Sequence, residues 1–528
     1  MVAFSSQLEI LINGKNNMQK IEKIKLHNFK RFENLEITFN QGINTIIGDN
    51  EAGKSTILQA IHLVASGSRN KVENIGLESI LNINAIKNFF QSNAKYDDLP
   101  KVFVEIYFSQ DDSIELAGKF NSEKRDLPGL RMELVPNENL SAEISQLLNQ
   151  PNNFPFEFYI VKFMTFSGEA YSGYRKFLKT LLIDNTQLSS EYANKEYTKS
   201  IFHSVADETA RIQLSNNYRQ SKTTFVNTHL TNLNHDNFNF SIKSNSKANL
   251  DSDIALMQNG IPIENRGKGQ QCFLKSEFAL SKNNNIDVVL LEEPENHLSH
   301  TNMKKLINKI ANSHEDQVIL STHNSLISSR LGLQHVIMLN SESEKSISLK
   351  DVDNDTSRFF MKAPDNNLLE FILSSKIILV EGNAEFILMQ AMYEKVTNST
   401  LENDGVHIIS VGGLSFKRYL QVAQKLCNQV AVIRDNDKNH QENCVNKYEE
   451  YQSDNIKIFA DKDNNRYTFE VCVYKDNEDI CKQITKSTAP LDFMLNNKAE
   501  SAFRLTEEYA NELNIPKYIQ EAIKWIRK

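Results

Sequence analysis

The first chemical signal in the chain is a spacing suited to phosphate. Gly48-Asp49-Asn50-Glu51-Ala52-Gly53-Lys54-Ser55 spells GxxxxGKS between an apolar run and an apolar-periodic segment, which is the setting of a phosphate-binding loop. The backbone N–H groups from Gly48 through Asn50 to Gly53 can close around phosphate oxygens, and the start of the following helix adds positive potential. Lys54 is expected on the β- and γ-phosphates, and Ser55, followed by Thr56, at a Mg²⁺ ion. Such a loop needs acids at the tip of a neighbouring strand. In VVLLEEPENHLSH an apolar run ends at Glu292 and Glu293. Glu292 is expected to hold the water shell of the metal, and Glu293 to orient an attacking water. VILSTHN puts His323 just past another apolar run, where a neutral imidazole can sense the γ-phosphate. Upstream of the acids, Arg266-Gly267-Lys268-Gly269 offers glycines for close backbone approach to phosphate, with cations beside them.

A second constellation follows residue 376. KIILVEGNAE sets Glu381 at the end of an apolar run with Glu385 four residues later, and VAVIRDNDK presents Asp435 and Asp437 after another. Residues two apart in an extended chain point the same way, so both aspartates are expected to face Glu381 across adjacent strand ends. Clustered carboxylates without cysteine suit hard cations such as Mg²⁺ or Mn²⁺. Another DxD pair, Asp461 and Asp463, sits in polar text and reads as solvent-facing.

The elements that must hold these groups are legible as patterns. IEKIKLHNFKRFENLEITF alternates apolar and polar as half-buried strands do, and INTIIG predicts a short buried strand. A helix is predicted from about Lys54, with Ile57, Leu58, Ile61 and Leu63 on one period, and VFVEIYF predicts a strand over Val102 to Phe108. Residues 186–235 lack proline and glycine and predict helices inserted as an arm. From 286 onward, IDVVLL, QVIL, KIILV, VHIISV and QVAVIRD alternate with helical text, the pattern of a parallel sheet covered on both faces. Polar text with a proline at 341–370 marks a domain boundary.

In this order, after the phosphate loop and before the acids, RGKGQQ resembles the signature motif of ABC ATPases. That resemblance implies a homodimer in which each signature completes the partner's ATP site; Gln91 and Gln110 both remain open as the Q-loop residue. The glutamate followed by DxD, with Val411 to Leu414 between, resembles the Toprim fold of topoisomerases, primases and some nucleases. Taken together from about residue 20 to 515, the chain resembles the OLD (overcoming lysogenization defect) family. The implied fold is α/β: an ABC-type P-loop ATPase with a helical insertion serving as dimerisation arm, then a C-terminal Toprim α/β domain. The expected boundaries are an N-terminal extension at 1–17, ATPase lobes at 18–165 and 246–345, the arm at 166–245, a linker at 346–374 and Toprim at 375–528. The resemblance makes Glu381, Glu385, Asp435, Asp437 and Glu470 metal ligands, with Glu385 standing where some members have aspartate. It makes Lys498, in NKAESA, a cation near the reacting phosphate. Lys268 departs from the small polar residue that many relatives carry there.

The implied activity is an ATP-controlled, Mg²⁺- or Mn²⁺-dependent DNA endonuclease or nickase, working by two-metal cleavage in bacterial defence against phage. The alternative is a non-cutting, ATP-dependent DNA sensor or clamp that scaffolds a defence complex. A strand-passing topoisomerase would need a tyrosine nucleophile in a further module, and none is evident. Partners implied are DNA, a second copy or a higher homo-oligomer, and in some relatives a helicase-like protein, as in Gabija systems, or a retron reverse transcriptase with its DNA. Composition is compatible with this reading: 528 residues, 40% hydrophobic, 24% charged, net charge −8. An acidic total still allows DNA contact through a local basic patch. Five cysteines without a CxxC pair predict neither a zinc site nor a disulfide framework, and a reducing cytoplasm is expected. No apolar run reaches the ~18 residues of a membrane span, and Glu9 inside Leu8–Ile12 argues against a signal peptide.

Overall fold

The computed structural model describes residues 19–528 apart from 93–94, 110–113, 149–152, 174, 186–190, 234–237, 244–248, 282–285, 314–316, 342–343, 364–366 and 413–415. The N-terminal extension expected at 1–17, Gln110, and Gly413 with Leu414 lie outside the described residues. Two compact units are present: one runs to Thr322 and takes in Leu339–Ser346, and the other comprises His323–Met338 and Ile347–Lys528.

The first unit has two sheets. β1 (Ile21–Phe29) and β2 (Phe32–Thr38) form a hairpin, and β1 continues antiparallel into β4 (Val102–Phe108), β5 (Leu127–Pro136) and β6 (Tyr159–Thr165). Ile21, Ile24 and Leu26 of β1 are buried, while Lys25 on the other face pairs with Glu36 at 3.0 Å and Glu123 at 2.7 Å. This is the alternation the sequence displays. The parallel sheet contains β3 (Ile43–Gly48), β7 (Thr180–Asp184), β8 (Val288–Glu292) and β9 (Gln317–Ser321), ordered β3–β9–β8–β7. Helix α1 (Lys54–Ser66) lies between the sheets, touching β4 and β5 as well as β7, β8 and β9, and buries Ile57, Leu58, Ile61 and Val64. A single polar side chain ties the sheets further: Gln317, fully buried, accepts from Ile21 N at 2.8 Å and donates to the carbonyls of Ile21 at 2.7 Å and Asn40 at 2.8 Å.

After α2 (Arg69–Ile75), the stretch expected as an arm contains helices α3 (Glu191–Val205) and α4 (Glu208–Phe225). It also contains β7, inside the 166–245 span and paired along its length with β8. The apolar TLLID text is a sheet strand, so the helical part begins only beyond it. Later in this unit, α5 (Lys268–Ala279) starts directly after Gly267 and contains Gly269 in its first turn.

The second unit is built on four parallel strands, β10 (Lys376–Val380), β11 (Val406–Ser410), β12 (Gln429–Ile433) and β13 (Ile456–Phe459), ordered β11–β10–β12–β13. Its helices include α6 (Asn354–Lys362), α7 (Leu368–Leu373), α8 (Asn383–Thr397), α9 (Phe416–Leu426), α10 (Phe469–Asp476), α11 (Lys498–Tyr509) and α12 (Lys517–Arg527). β10 and β12 are apolar almost throughout because helices cover both faces, with α8 and α12 packing into one core with Met389, Tyr393, Ile519 and Ile523. In the span 346–374, expected as a linker, the described residues from Ile347 onward instead belong to this unit. α6 and α7 carry Phe360 and Phe371 edge-on to Tyr419 of α9, at centroid distances of 5.1 and 4.9 Å. Arg418 donates to Thr356 Oγ1 at 2.7 Å. Among the described residues no helix is long and apolar enough to cross a membrane.

This packing gives the first prediction. Phe371 is fully buried, so Phe371→Ala should destabilise the second unit by ~3–5 kcal/mol, read from denaturant unfolding. A change within the scatter of surface substitutions would mean that 346–374 does not pack as described.

Candidate functional site

Both units place their charged residues where parallel strands end. In the first, β3 ends at Gly48 and the loop turns into α1 through Gly53, whose φ of 93° is left-handed. A Cβ on Gly53 would stand 2.4 Å from the Phe32 ring, so glycine is required there by conformation and by space. Lys54, buried, folds back over its own loop and donates to the carbonyls of Gly48 and Asp49, both at 2.8 Å. Burial pushes its pKa down to about 8, against the pull of Glu293 and Asp49. Asn50 and Ser55 are exposed and Thr56 is half-buried.

The register of the sheet brings Glu292 level with Ser321 on one side and Asp184 on the other. Burial raises the Glu292 carboxyl; a hydrogen bond with Ser55 opposes this, and Asp184 and Glu293 add to it. The loop and the acids thus meet: Lys54 feels Glu293 and Glu292, and Ser55 touches Glu292. Glu293 has a φ of 43°, donates its N–H to Ser321 O at 3.0 Å, and accepts from Asn296 Nδ2 at 2.7 Å. A cavity of about 560 Å³ opens beside this edge, lined by Ser55, His62, Lys71, Asp184, Tyr197 and Glu292. Asp184 was not singled out in the sequence. Its signal, an acid closing a short apolar run, is the one that marks Glu292. His323, exposed, follows two residues after β9.

In the signature segment, Arg266 Nη2 donates to Gln258 O at 2.8 Å, and Gly267 and Lys268 are exposed. Gly267 has open space around it, with nothing within 4 Å of where a Cβ would stand. Gly269 differs: a Cβ there would lie 2.1 Å from the carbonyl oxygen of His297. Its glycine serves packing of α5 against the loop after the acids.

In the second unit, Glu381 follows β10 and Glu385 lies in the first turn of α8, where Gly382 N donates to its Oε2 at 3.1 Å. Asp435 follows β12 at one residue's remove. Glu470 is in the first turn of α10, and Lys498 opens α11 with its Nζ 3.0 Å from Glu470 Oε1. Burial, then repulsion from Glu381, Glu385 and Glu470, pushes Asp435 up to about 8. Burial, with Glu470 and Glu381, pushes Glu385 up to about 7. Burial also raises Glu381, against the opposing charge of Arg434. Burial by itself would lower Lys498, but the attraction of Glu470 and Asp435 outweighs it and raises the ammonium's pKa.

Asp437 departs from the expected alternation. Asn436, 1% exposed, turns inward and donates to the carbonyls of Asp461 at 2.8 Å and Asp463 at 3.0 Å. Asp437 then takes a φ of 47° and is exposed. What holds it is Arg434, a buried residue the sequence reading passed over: Nη1 donates to Glu381 Oε2 at 2.5 Å and Nη2 to Asp437 Oδ2 at 3.0 Å. Asp461 is also not solvent-facing, because Arg466 Nε binds its Oδ2 at 2.6 Å; Asp463 is exposed.

Among the described residues no group of three or more His, Cys, Asp or Glu is gathered into a ready-made metal cage. The donors present nonetheless fit a hard divalent ion. They are all oxygens, Asp435 and Glu385 are crowded by neighbouring carboxylates, and neither oxygen of Glu470, 3% exposed, forms a hydrogen bond beside its ion-pair contact with Lys498 at 3.0 Å.

A family model described as "AAA domain" matches residues 23–350, more than half of the chain, and one described as "Overcoming lysogenization defect protein-like, TOPRIM domain" matches 372–437. The chain belongs to this AAA-domain family and carries, C-terminal to it, an OLD-like Toprim domain. The AAA domain implies nucleotide binding. The chain is 44% identical over 50 residues to the DNA replication and repair protein RecF of Hydrogenovibrio crunogenus, which is 10% of this chain and 14% of that protein. It is 31% identical over 106 residues to the DNA double-strand break repair Rad50 ATPase of Methanococcus maripaludis, 20% of this chain and 10% of that protein. The chain therefore spans only a small part of the curated relatives it matches. Among solved structures, an Smc head bound to the C-winged helix domain of ScpA aligns at 17% identity and a TM-score of 0.34, covering 62% of this chain and 96% of that one. The C-terminal region of the Burkholderia pseudomallei OLD protein aligns at 17% identity and a TM-score of 0.25, covering 29% and 97%.

The carboxylate cluster yields a pH prediction. Folded Asp435 and Glu385 hold protons more tightly than their ordinary values of 3.8 and 4.5. Stability from those protons is full below about pH 4 and is lost as pH rises through about 7 and 8. The metal-free protein should therefore melt at progressively lower temperature from pH 6 to pH 9, with Mn²⁺ restoring most of the loss at the alkaline end. Asp435→Asn with Glu385→Gln should flatten that dependence; an unchanged slope in this double variant would exclude the cluster as its source.

Proposed function

We propose that the chain is an ATP-controlled, divalent-metal-dependent DNA endonuclease or nickase that acts as an effector in bacterial defence. The observation that carries this reading is the acid cluster at the carboxyl edge of the second unit. Asp435 is crowded by Glu381, Glu385 and Glu470, with Lys498 as the nearby cation. Glu381, Glu385, Asp435 and Glu470 would hold Mg²⁺ or Mn²⁺, with Asp437 joining once released from Arg434. The bound metal would supply an activated water and charge stabilisation at a phosphodiester. Lys498 is positioned by Glu470 to neutralise charge on the phosphoryl oxygens in the transition state. In the first unit, Lys54, Ser55 and Glu292 would bind the nucleotide phosphates and their Mg²⁺, and Glu293 would orient water. His323 and the signature residues Arg266 to Gly269 are assigned to sensing and to the partner's nucleotide. A homodimer is supported by α4, which buries none of its residues and leaves Ile212 and Phe225 exposed. The likenesses to RecF and Rad50, both named for DNA repair, support DNA as the substrate.

One observation favours a second reading, a non-cutting DNA sensor or clamp: Arg434 already neutralises Glu381 and Asp437. The two readings separate on supercoiled plasmid with Mg²⁺ or Mn²⁺. Wild type should nick or cut it, and Asp435→Ala should lower the rate on the order of a hundredfold or more, the scale of losing an electrostatic stabiliser of a transition state. Lys54→Ala should abolish ATP turnover and alter cutting. ATP turnover without cutting in either metal would leave the clamp.

A further inference from the structure

The first unit holds a groove of about 1310 Å³ that neither the nucleotide chemistry nor the acid cluster uses. Its walls come from the end of α1, from α2, β6, the loop before β7, and α3. Small-ligand pockets run to roughly 300–1,000 Å³, so the groove exceeds what one compact ligand needs. Its charge is opposite to that of the whole chain. The net charge is −8 over the sequence, yet Arg69, Lys71, Lys162, Lys176 and Lys199 line this groove against only Glu196 and Asp251.

Both acids are already engaged. Glu196 lies 3.8 Å from Lys71, and Asp251 lies 3.7 Å from Lys199 and 3.2 Å from His203. No carboxylate among the described residues lies within 4 Å of Arg69, Lys162 or Lys176. Lys71 Nζ lies 2.9 Å from Nε2 of His62, and burial keeps that imidazole neutral. Burial lowers the affinity of Lys71 for its proton, with Lys199 adding to the effect against the pull of Glu196. Like charges held together without matching acids mark a surface completed by an anion. Several anionic groups in a row suit it better than one, because the cations are spread over four elements. Ser66, Ser68, Asn70 and Ser172 add neutral donors of the kind that bind phosphate oxygens. Lys71, Asn74, Glu196 and Ser200 also line the smaller cavity that reaches Ser55 and Glu292, so the groove and the nucleotide edge share a wall.

We infer that this groove binds the sugar-phosphate backbone of DNA, and that Arg69, Lys162 and Lys176 are its phosphate contacts. This rests on the reading of the chain as acting on DNA, and adds where the ATPase unit grips it. The test uses the full chain carrying Asp435→Ala, so that DNA stays intact. Binding of a labelled duplex is followed by fluorescence anisotropy over a series of salt concentrations, with and without Arg69→Gln/Lys162→Gln/Lys176→Gln. Each lost contact removes about 0.9 from the slope of log affinity against log salt, so the slope should fall by roughly two to three. Arg69→Gln/Lys176→Gln, which changes only exposed side chains, should lose a smaller share in proportion and guards against misfolding of the triple variant. ATP turnover without DNA should be unaltered. Equal affinity and slope in both variants would overturn the proposal. So would unchanged DNA binding with a lower molecular mass by light scattering, since the groove would then be an interface between copies. Plasmid cutting by the otherwise wild-type chain is read separately. If it persists while the groove variants bind normally, the groove assignment fails and the nuclease stands. If plasmid is never cut but the salt slope falls as expected, the groove stands and the nuclease fails.

Discussion

A parallel sheet covered on both faces has nowhere to put a charge except its ends. β8, β10 and β12 are apolar in their interiors, and the first acids appear where each runs out or just beyond: Glu292, Glu381 and Asp435. Everything chemical in this chain follows from that constraint. The helix after each strand must start within a few residues, so its first turn brings a further group to the same edge: Lys54 and Ser55 in one unit, Glu385 in the other. The same architecture therefore produces a phosphate loop in one half and an acid cluster in the other, and only the side chains at the edge differ.

The two edges are electrostatically unlike. In the first, a buried lysine sits opposite acids and is held by carbonyls of its own loop. In the second, acids crowd one another, and two cations hold them apart: Lys498 at Glu470, and Arg434 between Glu381 and Asp437. Arginine suits the latter place because its planar fork serves two carboxylates at once.

How much of this could be read from the sequence depended on whether the signal was local. The phosphate loop, the acid pair and the glutamate of KIILVEG were legible because motif and strand are contiguous. Asp184 and Arg434 were not, because their importance comes from parallel register and from a contact across 53 positions of chain. Asp437 comes to share Arg434 with Glu381 by a route the strand pattern does not contain, because alternation holds only in extended backbone and the inward turn of Asn436 ends it. Gly269 was read as clearance for phosphate although the neighbour it clears is the His297 carbonyl. The helices of 346–374 were missed because they are short and polar on one side, with their aromatic anchor, Tyr419, far along the chain.

The Arg434 bridge also bears on how this protein comes into being. Many carboxylate centres depend on their ion as the only counter-charge, so the apo chain resists folding until the ion arrives. Here a guanidinium inside the same chain serves as a resident counter-ion for Glu381 and Asp437. Those two carboxylates therefore carry their counter-charge within the polypeptide itself, and their place in the native fold is balanced without calling on any ion.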